Sequence, residues 1–128
     1  LAINAKIIFI YPYPEAGWHV PKKIMSKLPK KIVDIKDFLV PQNFVTTSYD
    51  VYIERAQRSF ELLNSIRHKN IYRIYPHKFL CNNIVKDRCI NHDEKEIYYR
   101  DDDHPSAKGA EMINSLIIKK LNQIENLK

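Results

Sequence analysis

Two segments of strand character, the first an unbroken apolar run, each followed by a segment of helical apolar periodicity, predict an α/β domain with helices packed on the faces of a sheet. The chain has 128 residues, enough for one small domain, and 45 % of them are hydrophobic, so a packed core is within reach. Its two glycines, Gly17 and Gly109, cannot build a Gly-rich phosphate loop, which argues against P-loop and dinucleotide-binding readings. There is no internal repeat and no low-complexity tract.

Lys6 to Tyr11 reads as a buried strand, stopped by Pro12-Tyr13-Pro14, because alternate prolines cannot stay in a sheet ladder. The loop from Glu15 to Pro21 leaves the carboxyl end of that strand, a usual place for substrate contacts in α/β folds. Lys22 to Val40 is ambiguous, with a helical turn or two around Ile24, Met25 and Leu28, and Pro41 to Thr47 reads as loop. Thr47-Ser48-Tyr49-Asp50 has the form of a helix start. Beyond it Tyr49, Ile53, Ala56, Phe60 and Leu63 make one apolar helix face, with Glu54, Arg55, Arg58 and Glu61 opposite. Ile71 to Tyr75 is a second strand, ended by Pro76, and Glu96 to Tyr99 reads as a short edge strand. Ser106 caps a last helix whose buried face is Ala110, Ile113, Ile117, Leu121 and Ile124.

The formal net charge is +6, with lysines clustered at Lys22, Lys23, Lys27, Lys30 and Lys31. This cluster reads as a solvated face; the interleaved aromatic and arginine array of a nucleic-acid surface is missing, and no nucleic-acid partner is expected. Cys81 and Cys89 read as a disulfide, which implies an oxidising compartment. Two free thiols, or a zinc site completed by His77 and His92, are the alternatives. The chain begins at Leu1 and shows no signal peptide and no apolar stretch near the ~20 residues of a membrane span. It is expected to be a piece of something longer.

The most informative stretch is Tyr98-Tyr99-Arg100-Asp101-Asp102-Asp103-His104-Pro105-Ser106. An Asp-x-x-His step in a tight loop can bring the Asp101 carboxylate to one imidazole nitrogen of His104, leaving the other to take a proton. Asp102 and Asp103 read as solvated charges near the positive end of the last helix. No second acidic cluster accompanies them, so no metal is expected, and no cofactor either. Trp18 can stack on a sugar ring or simply pack, Glu15 can bond the loop or a substrate hydroxyl, and His19 reads as a surface residue.

Asp101-Asp102-Asp103-His104-Pro105-Ser106 with Gly109-Ala110 resembles the last block of SGNH hydrolases, and more narrowly the SGNH domain fused to the C-terminus of bacterial acyltransferase-3 membrane proteins. Pro12-Tyr13-Pro14-Glu15, Gly17-Trp18 and Pro21 resemble that family's Pro-x-Pro-Glu segment, Gly-Trp and Pro, and Cys81 and Cys89 its Cys pair. Pro105 stands where the family usually has Leu. Three landmarks in the right order cover nearly the whole chain.

The resemblance implies a three-layer α/β/α sandwich with a flavodoxin-like sheet, truncated on its N-terminal side, so that residues 1–128 are the C-terminal part of one SGNH-type domain. It implies that Asp101 orients His104, the general base for a serine, while Trp18 and Glu15 are the candidate substrate-binding residues on their own chemistry. It implies a home on the extracytoplasmic, periplasmic side of a bacterial inner membrane, within a membrane protein. The family's Gly-Asp-Ser block and its oxyanion Gly and Asn have no counterpart and are expected ahead of Leu1. None of the serines at positions 26, 48, 59, 65, 106 and 115 sits in an elbow facing His104. The 128 residues alone are therefore expected to be inactive. The implied activity is O-acyl transfer, acetyl in the first place, to a cell-surface glycan such as lipopolysaccharide O-antigen or peptidoglycan. The implied partners are that glycan, the N-terminal SGNH segment and an acyltransferase-3 membrane domain. A carbohydrate acetylesterase and a non-catalytic remnant or glycan-binding module are the alternatives.

Overall fold

A computed structural model describes residues 5–31 and 34–126. The expected alternation of strand and helix is present, arranged around two small sheets. Strand β1 (Ile7–Ile10) pairs in parallel with β3 (Ile71–Ile74), with Ile7 opposite Ile71 and Ile10 opposite Ile74. Strand β2 (Thr46–Ser48) pairs antiparallel with β4 (Arg88–Ile90), with Thr47 opposite Cys89. Helix α1 (Val20–Lys27) follows the proline loop, α2 (Tyr49–Ser65) follows β2 directly, α3 (His77–Leu80) is one turn after β3, and α4 (Ala107–Glu125) closes the domain.

The helix starts are written in the sequence. Pro21 stands in the first turn of α1, where a missing N–H costs nothing, and His19 Nδ1 accepts the Lys22 N–H at 3.4 Å. His19 is thus a capping residue rather than a plain surface one. Ser48, not Thr47, caps α2, its Oγ accepting from Val51 N. The buried stripe of α2 centres on Tyr52 and Ala56, with Tyr49, Ile53 and Phe60 packed at its margins. Ser106 caps α4 by accepting from Gly109 N at 3.2 Å and donates to Ile97 O at 2.7 Å.

Three expectations are corrected. β1 is not fully buried: Ile7, Ile8 and Phe9 are half-buried and Ile10 is exposed, because among the described residues the strand is paired on one edge only. The last helix buries Ile124 and Gly109 but leaves Leu121 exposed, since a two-stranded parallel sheet is too narrow to cover its whole apolar stripe. Ile97 to Tyr99 makes only single bridges, His92 with Ile97 and Tyr99 with Pro105, in place of a regular edge strand.

The core runs from Val20 and Ile24 of α1 through Leu39 and Tyr52 to Leu80, Ile90 and Tyr99. Tyrosines join it to the proline loop. Tyr52 donates to Pro12 O at 2.9 Å and Tyr99 to Pro14 O at 2.6 Å, satisfying carbonyls that no ladder reaches. Burial raises the hydroxyl pKa of both, so they remain donors.

Cys81 and Cys89 form a disulfide, tying the end of α3 to β4. This removes the zinc alternative. His92 is buried with both nitrogens engaged: Nε2 accepts from Val45 N at 2.9 Å and Nδ1 donates to Asp93 O at 2.9 Å. Burial lowers its pKa, which favours this neutral tautomer.

Gly109 permits the closest approach in the fold. A Cβ there would stand 2.3 Å from Tyr98 O and 3.0 Å from Pro105 Cβ. Gly109→Ala should cost about 2 kcal/mol, read as a lower urea midpoint at unchanged m-value. Reduction of the disulfide should cost about 2.5 kcal/mol through the freed loop, measured by the same titration with and without dithiothreitol.

Candidate functional site

The loop from Tyr99 to Pro105 closes on itself ahead of α4. Arg100 N donates to His104 O at 2.9 Å and Ser106 N to Tyr98 O at 2.9 Å, so the turn is pinned at its neck. Inside it Asp101 acts as the hub. Its Oδ1 accepts from His104 N at 2.8 Å and from Asp103 N at 3.2 Å, and its two oxygens each lie 3.1 Å from His104 Nδ1. With the Nδ1 proton on the carboxylate side, Nε2 is the basic nitrogen, and it has no partner among the described residues. The His104 side chain is 70 % exposed, open to a reacting group.

The expected Asp101–His104 pair is therefore together. Asp103 is exposed, as expected of a solvated charge, and its Oδ1 also lies 2.8 Å from His104 Nδ1, a contact the sequence did not suggest. Asp102 contributes through its backbone. Its carbonyl accepts from Ala16 N at 2.8 Å, and the Asp101 carbonyl accepts from Val20 N at 3.0 Å. These two bonds strap the loop carrying Glu15 and Trp18 to the loop carrying the dyad.

The donated N–H of His104, followed by that of Asp103 and the imidazole itself, lowers the Asp101 pKa to about 2. Ligand atoms of Asp101, Asp103 and His104 all lie within 4.8 Å of one another. Such exposed acidic grouping is common at a helix entrance, and the bonds just described account for it.

Trp18 is half-buried against the core and also lines an open depression of about 320 Å³, together with Glu15, Thr47, Ser48, Arg55 and Arg88. Both sequence-predicted substrate-side residues thus share one hollow. Arg55 and Arg88 were not foreseen. Arg55 reads as the solvent face of α2, yet it flanks the buried Tyr52–Ala56 stripe, the one signal that would have drawn it toward the loop. No serine hydroxyl bonds His104 among the described residues; those of Ser48 and Ser106 are spent on helix caps.

What fold and site define is an α/β domain that presents a carboxylate-oriented, exposed histidine at a helix entrance. The family model for the SGNH domain (fused to AT3 domains) matches residues 1–119, and the chain belongs to that family. It is an acyltransferase-associated SGNH module, and the fusion makes an acyltransferase-3 membrane domain its partner within a membrane protein. No helix among the described residues is long and apolar enough to cross a membrane. Neither curated proteins nor solved structures show a match to the chain.

The folded state favours ionised Asp101, so its contribution to stability is complete above the ordinary ~3.9 and is lost as pH falls through about 2. Carboxyl NMR should place the Asp101 midpoint near that lower value. In His104→Ala it should rise only part of the way to ~3.9, because the backbone N–H of residue 104 remains.

Proposed function

We propose that residues 1–128 are the C-terminal part of one SGNH-type domain, a three-layer α/β/α sandwich when whole. In that reading the chain supplies the Asp and His of a Ser-His-Asp acyl-transfer site. The observation that carries the reading is the Asp101 carboxylate on His104 Nδ1 with Nε2 unpartnered and exposed. The nucleophilic serine and the oxyanion donors come from sequence outside these residues. His104 Nε2 takes the serine proton as the serine oxygen attacks the acyl carbonyl, and returns it to the departing donor group. In the second half-reaction Nε2 takes the proton of a sugar hydroxyl, which attacks the acyl-serine; the proton then goes back to the serine oxygen. Asp101 stabilises the imidazolium formed at each stage.

The acceptor is a bacterial cell-surface glycan, lipopolysaccharide O-antigen or peptidoglycan, and the acyl group is acetyl. Family membership supports transfer, and the Cys81–Cys89 bond supports an oxidising, extracytoplasmic setting on the periplasmic side of the inner membrane. The Trp18 hollow, strapped to the dyad loop, favours a sugar acceptor over water.

In membranes carrying the full protein, His104→Ala should lower acetyl transfer to glycan by about 10³-fold or more, and Asp101→Asn by about 10²–10⁴-fold. Asp102→Asn, whose loop contact is through the backbone, should retain transfer. Transfer that persists in His104→Ala would sink the proposal.

A further inference from the structure

The geometry points to an acceptor subsite for a carboxylate-bearing sugar in the hollow beside the dyad loop, formed by Trp18, Arg55 and Arg88. This rests on the reading that the acceptor is a glycan, and it names the acceptor's charge.

The first observation is the state of the two guanidiniums. Arg88 is fixed in place: its Nε donates to Thr46 Oγ1 at 2.9 Å and its Nη2 to Thr46 O at 2.8 Å. That leaves its Nη1 without a partner among the described residues. Arg55 makes no hydrogen bond and no ion pair among the described residues, although Glu15 lines the same hollow. Two arginines at one hollow with donor capacity to spare suit a planar carboxylate, which takes two parallel N–H bonds from such a fork.

The second observation is how Arg55 comes to be there. Gly17 has φ +74°, and a Cβ on it would meet the Arg55 guanidinium at 2.5 Å. The bare glycine therefore lets the guanidinium lie against the loop next to Trp18. An indole beside a cationic group matches a sugar acid, whose apolar ring face and charged substituent lie on one residue. Thr47 also lines the hollow and is buried, with a hydroxyl that has no hydrogen-bond partner among the described residues. Glu15 can accept from sugar hydroxyls. The strap from Ala16 and Val20 to the carbonyls of Asp102 and Asp101 joins the loop that lines this hollow to the loop that carries His104.

The test is isothermal titration of the full protein carrying His104→Ala, which isolates binding from turnover. The probes are glucuronate- and sialate-terminated disaccharides, a glucose-terminated counterpart and inorganic phosphate. At least one charged disaccharide should bind about tenfold more tightly than the neutral one. The preference should vanish in Arg55→Gln, be partly kept in Arg55→Lys and shrink with added salt. Trp18→Ala should weaken charged and neutral sugars alike. Equal affinity for charged and neutral sugars overturns the proposal, as does a preference that survives Arg55→Gln. Phosphate binding as tightly as the sugar acids overturns it too, since the hollow would then read charge alone. Transfer that depends on His104 with no charged preference defeats this inference and leaves the acyl-transfer reading standing. A charged preference with His104-independent transfer does the reverse.

Discussion

The site depends on three hydrogen bonds between two loops that are far apart in sequence. Tyr99 donates to Pro14 O, Ala16 N to Asp102 O and Val20 N to Asp101 O. The proline loop cannot join a ladder, and the dyad loop is too short to hold itself against a sheet. Each supplies the groups the other lacks. The donors Tyr99, Ala16 and Val20 are all buried, where an unpaired polar group would carry a full desolvation cost. The entry of α1, the placement of Trp18 and the orientation of His104 follow from this one seam.

Apolar runs ended by prolines made β1 and β3 legible in the sequence, helical periodicity did the same for α2 and α4, and the Ser48 and Ser106 caps marked those helices. β2, α3 and β4 were not legible, because these short polar or mixed segments carry neither an apolar run like that of β1 nor a helical period. The burial of β1 was overread for a related reason. An unbroken apolar run reports that a strand can be covered on both faces, not how many neighbours it has.

In the site, Asp101 and His104 were legible because the chain itself spaces them. Asp103 was not, since its approach to Nδ1 depends on how the turn folds back. Arg55 and Arg88 lie on separate elements, and only the pairing of β2 with β4 and the bare backbone at Gly17 bring them to one hollow. Linear spacing finds partners within a turn. Partners met through topology need the fold.

The Cys81–Cys89 bond has a consequence for how this surface can change. Cys89 sits opposite Thr47 and its neighbour Arg88 opposite Ser48, so β4 is held by a covalent link at one side and by β2 at the other. The segment between the cysteines is clamped at its base. Asn82 and Asp87, both at positive φ, belong to that clamp, since Asn82 N donates to Arg88 O and Asn82 Oδ1 accepts from Asp87 N, and the exposed Ile84 lies at the tip beyond them. The covalent bond acts as a fence, with free ground for variation on one side and a fixed guanidinium on the other.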